Sequence, residues 1–322
     1  MDEEIKELIQ ALMRRKNVVI VGHTGADGDS IGASLALASF LRRLGVRVTN
    51  YQKDRIPDNL QFLDAGRIKR ADKIDLNKKD ALIFMECFLP GRSGFDFGEK
   101  LAGLTTVNID HHPDNKMYAD FNIVDAEVSS VSEIVYRFFE IQGLPVQKTE
   151  AVCLLTGIIT DTGRFSQKNT TKESLRIAAS MMEAGAEPVK IYNRSYGSQK
   201  PETLRLLSAT LGTLEIIGGK ISAMYTSCEM FRKTKTTCED TKDFINFARD
   251  IKGVEASCYI REVAGGSLRI NFRSVKKNIL PFAKKFGGGG HNLACGGTIK
   301  GKFSETREKI IKDFVEYMTN HD

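Results

Sequence analysis

Residues 18–30 have the sequence Val18-Val19-Ile20-Val21-Gly22-His23-Thr24-Gly25-Ala26-Asp27-Gly28-Asp29-Ser30. The continuous apolar run at its start is typical of a strand that is buried on both faces of a parallel sheet. The small residues that separate His23, Asp27 and Asp29 let the backbone curl so that the three side chains converge. One imidazole with two carboxylates suits a divalent cation such as Mn²⁺, Mg²⁺ or Co²⁺. A loop that only caps the following helix is an equally open alternative.

The segments around this stretch alternate between strand and helix patterns. Strands are predicted at residues 17–21, 46–51, 81–85 and 105–109, and helices at 2–16, 31–44, 128–142 and 171–184. Ser30 is a candidate cap for the second of these helices, and Gly45 a candidate end. The apolar segment 153–160 fits either a helix or a strand. This alternation predicts an α/β fold whose N-terminal domain has a mainly parallel sheet.

A polar stretch with linker composition at residues 193–201 indicates a domain boundary. We therefore expect domains at residues 1–192 and 211–322, joined by a linker at 193–210. The second, smaller domain is also predicted to be α/β. Its predicted elements are hairpins at 213–226 and 254–274, helices at 241–251, 279–286 and from about 304, and a Gly-rich loop at 287–291.

Charge is unevenly placed along the chain. Residues 1–192 hold 25 Lys and Arg against 27 Asp and Glu, whereas residues 193–322 hold 22 against 14. An acidic first part and a basic second part suit a metal centre with a surface that binds polyanions, although the positive charge also aids solubility. The six cysteines form no C-x-x-C pair, and no membrane-spanning run or signal peptide is present, so we expect a cytoplasmic location with reduced thiols.

Three of the predicted strands end in residues that can bind metal or transfer protons. These residues are His23, Glu86 and the run Asp110-His111-His112. Sites in open α/β sheets form beyond the carboxyl ends of strands, where the strand order reverses. A charged trio after a buried strand is costly unless it is paired or binds a metal, so these strand ends together predict one site.

Four ordered motifs resemble the DHH phosphoesterase superfamily with its DHH-associated C-terminal domain. They are His23-x3-Asp27-Gly-Asp29-Ser-Ile-Gly, Asp110-His111-His112, Asp161-Thr162-Gly163 and Gly288-Gly289-Gly290-His291-x2-Ala294-x-Gly296. The chain is most similar to the branch that contains nanoRNases, pAp phosphatases and linear dinucleotide phosphodiesterases. The resemblance covers nearly the whole sequence.

The resemblance implies a centre with two Mn²⁺ ions, with Mg²⁺ or Co²⁺ as alternatives. His23 and Asp27 would hold one ion, and Asp29, His111 and Asp161 the other. One carboxylate at a strand end would bridge the two ions. Asp110 would orient a histidine ligand, and His112 would contact the scissile phosphate or protonate the leaving oxygen.

Glu86 departs from the family pattern, because the family has aspartate at the bridging position. Its extra methylene moves the carboxylate by roughly 1.5 Å unless the backbone retreats. A displacement of about 1 Å in a catalytic array can cost ~10²-fold in rate. We expect a working site, since every other ligand position matches.

Substrate binding is expected from the Gly-rich segment and from arginine. The resemblance implies that Gly288, Gly289, Gly290 and His291, with Arg273, hold the end of the substrate that lies away from the cut. Backbone N–H groups and guanidinium groups both bind phosphate. Arg164 lies beyond a predicted ligand, where it either contacts phosphate or forms a structural ion pair.

These patterns together predict an Mn²⁺-dependent phosphodiesterase that hydrolyses short oligoribonucleotides or linear dinucleotides to mononucleotides, with pAp phosphatase activity. The expected partners are short single-stranded RNA, linear or cyclic dinucleotides and pAp, with no membrane, and a homodimer is a candidate assembly. Two alternatives stay open. One is a pyrophosphate or polyphosphate hydrolase, and the other is a catalytically impaired sensor of dinucleotides.

Overall fold

The computed structural model describes residues 1–76, 80–197, 200–241, 243–263 and 265–320. The chain forms two compact units, residues 1–198 and 199–322. None of the described helices is both long and apolar enough to cross a membrane.

The first unit alternates strands and helices as the sequence predicts. Its elements are α1 (Asp2–Met13), β1 (Val18–Gly22), α2 (Gly28–Arg43), β2 (Val48–Gln52), β3 (Ile68–Arg70), β4 (Ala81–Met85), β5 (Thr105–Asp110), β6 (Phe121–Val124), α3 (Val131–Gln142), α4 (Lys148–Asp161), α5 (Lys172–Glu183) and α6 (Pro188–Ser195). All six strands pair in parallel, in the order β3-β2-β1-β4-β5-β6. The predicted α/β class with a mainly parallel sheet is confirmed.

Strands β1 and β4 lie at the centre of this sheet, and every residue of both is buried. The chain moves from β1 outward through β2 and β3, then returns to place β4 on the other side of β1. The strand order therefore reverses between β1 and β4, and a crevice forms beyond their carboxyl ends. Gly22 pairs with Met85, so His23 and Glu86 are the first residues beyond the two strands.

Helices α2 and α4 approach closely because small residues separate them. Gly32 faces the carbonyl of Cys153 so closely that a Cβ atom at position 32 would lie 2.3 Å from that oxygen. The segment 153–160, which periodicity could not assign, belongs to α4. Helix α2 begins at Gly28, and Asp27 rather than Ser30 is its N-cap. The expectation for Ser30 was therefore wrong, since the Asp27 carboxylate accepts hydrogen bonds from the N–H groups of Asp29 and Ser30.

Two short strands at the edges of the sheet were not predicted from the sequence. β3 has only three residues, two of them exposed and basic, and β6 is largely half-buried. Both lie where one side of the strand has no partner, so neither carries the apolar run that marks a central strand.

The second unit has a mixed six-stranded sheet with helices. Its elements are α7 (Pro201–Leu211), β7 (Glu215–Ile217), β8 (Ile221–Thr226), α8 (Cys228–Thr234), α9 (Phe244–Arg249), β9 (Ala256–Val263), β10 (Ser267–Ser274), α10 (Leu280–Lys284), β11 (Gly289–His291), β12 (Ala294–Lys300) and α11 (Phe303–Thr319). The strand order is β11-β12-β10-β9-β8-β7. Both predicted hairpins, β7–β8 and β9–β10, are confirmed as antiparallel pairs.

Three features of the second half differ from the sequence expectation. The segment 193–210, predicted as a linker, contains the end of α6 and most of α7, where Leu206 is fully buried. Helix α8 was not predicted. Residues 289–291 of the expected Gly-rich loop form β11, because they pair with β12.

We predict that Gly32→Ala lowers the free energy of unfolding by about 1–3 kcal/mol, the usual range for an overpacked interior. The new methyl group would force α2 away from α4. Chemical denaturation of the purified chain measures this loss. Gly66→Ala is the matched control, since no atom lies within 4 Å of a Cβ there. A Gly32→Ala variant as stable as Gly66→Ala would contradict the close packing.

Candidate metal centre

The first cluster at the crevice consists of His23, Asp27 and Glu86, which each present one ligand atom within 4.8 Å of the others. His23 Nε2 lies 3.8 Å from Asp27 Oδ2 and 3.6 Å from Glu86 Oε2. The other ring nitrogen, Nδ1, lies 2.9 Å from the carbonyl oxygen of Thr24. A carbonyl can only accept, so Nδ1 carries a proton, and Nε2 is the ring nitrogen that faces the carboxylates.

The second cluster consists of Asp29, Glu86, His111 and Asp161, again within 4.8 Å of one another. His111 Nε2 lies 3.2 Å from Asp161 Oδ2 and 3.8 Å from Glu86 Oε1. Glu86 is thus common to both clusters, with Oε2 toward His23 and Oε1 toward His111. The six side chains predicted as metal ligands come together in the first unit.

Glu86 reaches this position with a left-handed backbone, at φ +57°. This conformation is unfavourable for a residue with a Cβ and is found mainly where the surrounding structure holds it. Its N–H donates to the carbonyl of Ile109 at 2.9 Å, which anchors the turn to the neighbouring strand β5. The Glu86 residue is 4% exposed, so its carboxylate is shielded from water.

Asp29 is fully buried and held by the first turn of α3. Its Oδ2 accepts from the N–H of Val131 at 2.6 Å, and its Oδ1 accepts from the N–H of Ser132 at 2.9 Å. The hydroxyl of Ser132 donates to the same Oδ1 at 2.5 Å. Unpaired N–H groups and the helix dipole both favour a negative charge at a helix N-terminus. Gly157 leaves room for this contact, since a Cβ there would lie 2.4 Å from Asp29 Oδ1.

The carboxylates repel one another in a buried environment. Burial, with the charge of Glu86, raises the pKa of Asp29 to about 7. Burial, with the charge of Asp29, raises the pKa of Asp161 well above its usual range. Burial also disfavours the charged forms of Glu86, His23 and His111, but the attraction between the imidazoles and the facing carboxylates, Asp27 among them for His23, outweighs it. The pKa of Glu86 is therefore lowered and the pKa values of both histidines are raised.

A divalent cation fits this donor set. Four carboxylates, two of them buried, converge with two buried imidazoles, and Glu86 Oε2 accepts no hydrogen bond from any described residue although it is shielded from water. A buried oxygen with no donor is costly, and a cation would offset that cost. Mixed imidazole and carboxylate ligands are typical of Mn²⁺ and related ions.

Asp110 and His112 form a separate pair beside the clusters. Asp110 Oδ1 lies 2.7 Å from His112 Nδ1 and accepts the backbone N–H groups of His111 and His112. The Asn115 amide donates to its Oδ2 at 2.6 Å. These donors, led by the ring of His112, outweigh burial and lower the pKa of Asp110. The ring that Asp110 orients is thus that of His112, while it fixes only the backbone of His111.

The residues predicted to bind substrate lie in both units. In the first unit, Arg164 has φ +67° and places its guanidinium 5.0 Å from the ring centre of Tyr196. In the second unit, Arg273 at the end of β10 donates to the carbonyl of Phe272 at 3.0 Å. Burial lowers the pKa of Arg273 to about 10, so the side chain stays charged at neutral pH.

Gly288, Gly289, Gly290 and His291 lie beside or within β11, which pairs with β12, and β12 in turn pairs with β10. A Cβ at position 288 would lie 2.0 Å from the carbonyl oxygen of Gly296. Ala294 of β12 pairs with His291 on one side and with Arg273 on the other. Within the second unit, the Gly-rich segment and Arg273 are therefore on the two strands that flank β12.

Sequence reasoning missed Ser132 and Asn115, which support Asp29 and Asp110. The signal for Ser132 was the run Ser129-Ser130-Val131-Ser132 before an apolar helix, which is typical of a helix start. The helix was predicted from residue 128, so these serines were placed inside it. Asn115 lies in a loop after Pro113, and no periodic pattern identifies its partner.

Two family models match the chain: "DHH family, N-terminal domain" over residues 17–158 and the "DHHA1 domain" over residues 220–320. A relative from Thermus thermophilus, named bifunctional oligoribonuclease and PAP phosphatase NrnA, is 29% identical over 309 residues, which cover 94% of this chain and 90% of the relative. A relative of the same name from Bacillus subtilis is 24% identical, with 98% and 99% covered. The crystal structure of an exopolyphosphatase-related protein from Bacteroides fragilis has a TM-score of 0.87 and 26% identity, with 98% and 96% covered.

We predict that Asp161→Asn weakens the stabilisation that Mn²⁺ gives while leaving the metal-free chain at least as stable. The substitution removes one of the mutually repelling buried acids, but also one oxygen ligand. At a concentration of 100 times its dissociation constant, a ligand stabilises the native state by about 2.7 kcal/mol. Thermal unfolding with and without Mn²⁺ measures both effects.

Asp72→Asn is the control for this experiment, because the Asp72 side chain is 94% exposed. It should retain the full Mn²⁺ effect. An Asp161→Asn chain that is stabilised by Mn²⁺ as strongly as the wild type would contradict the ligand assignment.

Proposed function

Because this chain belongs to the DHH family, with a DHHA1 domain after its DHH domain, we propose that it is an Mn²⁺-dependent phosphodiesterase. Its substrates are short oligoribonucleotides or linear dinucleotides, which it hydrolyses to mononucleotides, and it also acts as a pAp phosphatase. The observation that carries the proposal is that two clusters of metal-ligand side chains share the Glu86 carboxylate. The names of the relatives, which pair oligoribonuclease with PAP phosphatase, support the substrate class.

His23 and Asp27 would hold one ion, Asp29, His111 and Asp161 the other, and Glu86 both. A pair of such ions supplies hydroxide at neutral pH and neutralises the charge that develops on the phosphate. The residues of the chain orient the ligands: Thr24 fixes the tautomer of His23, and the first turn of α3 fixes Asp29. Such fixed supports are what give a metal site a defined geometry.

His112 is the proposed proton donor to the leaving oxygen, or a contact to the scissile phosphate. Its Nδ1 faces the ionised Asp110, so this nitrogen holds a proton and the ring is fixed in orientation. Nε2 is then the ring atom that exchanges a proton with substrate.

Glu86 supports an active site rather than an impaired one. Its backbone is left-handed, and each of its carboxylate oxygens faces a different histidine. We infer that this backbone conformation accommodates the extra methylene relative to aspartate. We propose that the other ligands are positioned to suit the length of a glutamate side chain at position 86.

We assign catalysis to residues 1–192 and substrate binding to residues 211–322. The second region carries most of the excess positive charge, and in it Arg273 and the Gly-rich segment lie on the two strands that flank β12. A guanidinium group binds phosphate through paired hydrogen bonds and stays charged at all physiological pH values. We propose that Arg273 and the Gly288–His291 segment bind the part of the substrate away from the cleaved bond. Arg164, which lies over Tyr196, is a candidate phosphate contact in the first region.

Hydrolysis of pyrophosphate or polyphosphate is the competing enzymatic function. It is favoured by the printed description of the Bacteroides fragilis structure as exopolyphosphatase-related. Polyphosphate carries negative charge but has no nucleobase. The two functions therefore differ in whether a nucleoside attached to the phosphate increases the rate of hydrolysis.

We predict that the Mn²⁺-loaded chain hydrolyses pApA and di- to pentaribonucleotides, releases phosphate from pAp, and prefers all of these to tripolyphosphate. Initial rates over this panel, with cyclic di-AMP included, measure the preference. The Asp29→Ala variant is the control for contaminating nucleases. Faster turnover of tripolyphosphate would establish the competing function, and no turnover of any substrate would leave the dinucleotide sensor.

We predict that Glu86→Asp lowers kcat by about 10²-fold, because the shorter side chain displaces the shared carboxylate by roughly 1.5 Å. Glu86→Gln, which keeps the length but loses the charge, should be impaired further. The two variants are compared by kcat on pApA and by calorimetric titration with Mn²⁺ alone. A Glu86→Asp chain as active as the wild type would show that the site is not spaced for glutamate.

A further inference from the structure

Arg261 on β9 is a buried guanidinium whose hydrogen-bonding partners among the described residues are neutral. It is 9% exposed, donates from Nη1 to the Thr241 hydroxyl at 3.1 Å and from Nη2 to Asn271 Oδ1, and lies 5.4 Å from the ring centre of Tyr259. Among the described residues it forms no ion pair, and its Nε has no hydrogen-bond partner. A buried charge without a carboxylate is costly, so a purely structural role explains it poorly.

The bond from Arg261 determines which way the Asn271 amide points. A guanidinium has only donors, so the atom that faces it must be the amide oxygen. The amide nitrogen, Nδ2, is then directed away from Arg261. It lies over Gly296 on β12, where a Cβ would be 3.0 Å from it. No described residue accepts a hydrogen bond from Nδ2.

Asn271 and Arg273 project from the same face of β10, because they are two residues apart on one strand. Their partners on β12 are Gly296 and Ala294, so only a hydrogen atom and a methyl group stand beside them. Both side chains are half-buried. The face therefore presents an oriented amide N–H and a guanidinium with no large side chain on β12 to cover them.

The charges around this face favour an anion. Arg249 and Arg261 both act on Arg273 with positive charge, whereas Asp243 acts with negative charge. Arg249 is itself paired with Asp250 at 2.7 Å. Arg261 and Arg273 together carry two positive charges, against one negative charge on Asp243.

We propose that Asn271 joins Arg273 in binding a phosphate group of the nucleotide, and that Arg261 is the positioning residue that holds Asn271 as a donor. The identification of the phosphate as that of a nucleotide rests on the proposed function. A phosphate presents only acceptor oxygens, so an amide free to rotate would offer its own oxygen part of the time. With Oδ1 held by Arg261, Asn271 offers N–H alone.

The test is calorimetric titration of the full chain with AMP, with adenosine and with inorganic phosphate, in the presence and absence of Mn²⁺. Asn271→Ala should weaken AMP binding about tenfold, the usual effect of losing a hydrogen bond to a charged group. Asn271→Asp should weaken it more, because a carboxylate would face the phosphate while still pairing with Arg261. Adenosine binding should be unchanged in both variants, and both effects should appear without Mn²⁺.

A double-mutant cycle separates positioning from packing. Arg261→Met should weaken AMP binding severalfold in the wild-type chain but clearly less in the Asn271→Ala chain, where only the loss of its positive charge is left to act. Arg269→Ala is the matched control, since Arg269 lies on the same face of β10, is exposed and pairs with Glu239 at 3.4 Å. The Arg269→Ala substitution should change the dissociation constant for AMP by less than twofold. Thermal unfolding of every variant checks that the second unit stays folded.

Several outcomes would overturn the proposal. These are equal losses for AMP and adenosine, additive effects of Arg261→Met and Asn271→Ala, or losses seen only with Mn²⁺. Inorganic phosphate that binds as tightly as AMP, with the same response to Asn271→Ala, would show that the site takes free phosphate instead. Failure of the proposed function shows separately, as wild-type protein that binds AMP but does not hydrolyse pApA or pAp with Mn²⁺.

Discussion

The first unit holds together several carboxylates that repel one another at one edge of its sheet, and the surrounding structure has to offset that repulsion. Asp29, Glu86 and Asp161 converge where the strand order reverses, each largely removed from water. Several features stabilise this arrangement in the chain itself. The two histidines attract the carboxylates, and the N–H groups at the start of α3 bind one of them. The parallel sheet forms the crevice in which the carboxylates meet, and the start of helix α3 supplies N–H groups that donate hydrogen bonds to one of them.

The close approach of helices α2 and α4 also determines the geometry of this cluster of carboxylates. Gly32 brings α2 against α4, while Gly157 on α4 leaves the space that Asp29 and Ser132 occupy. Side chains at these positions would push apart the elements that carry Asp29 and Asp161. Packing and electrostatics are thus coupled, because the glycines that let the helices touch also set the distances between charges.

Much of this arrangement could be predicted from the sequence, since it rests on local patterns. The central strands β1 and β4 are continuous apolar runs, and the residues that follow them, His23 and Glu86, are conspicuous by their chemistry. The metal-ligand residues could be identified for the same reason. Their roles stay predictions, but the structure places the six side chains together.

Other features depend on contacts that no local pattern reveals. The edge strand β3 is short and polar, so its pairing with β2 comes from the fold and not from its own sequence. Ser132 supports Asp29 across a separation of 103 residues, and Arg261 fixes an amide on the neighbouring strand. The unusual backbone of Glu86 is equally invisible, because its left-handed turn is held by a bond to β5.

The wide spacing of the six clustered side chains along the chain has a consequence for biosynthesis. His23 and Asp161 are the outermost of the six, so neither cluster is complete until β4 has been made, and the second also requires α4. At a synthesis rate of about 5–20 residues per second, the ribosome needs roughly ten seconds to pass from His23 to Asp161. Parallel sheets also form slowly, because their pairings are non-local. A complete set of candidate ligands for either ion therefore exists only after most of the first unit's central sheet has been synthesised.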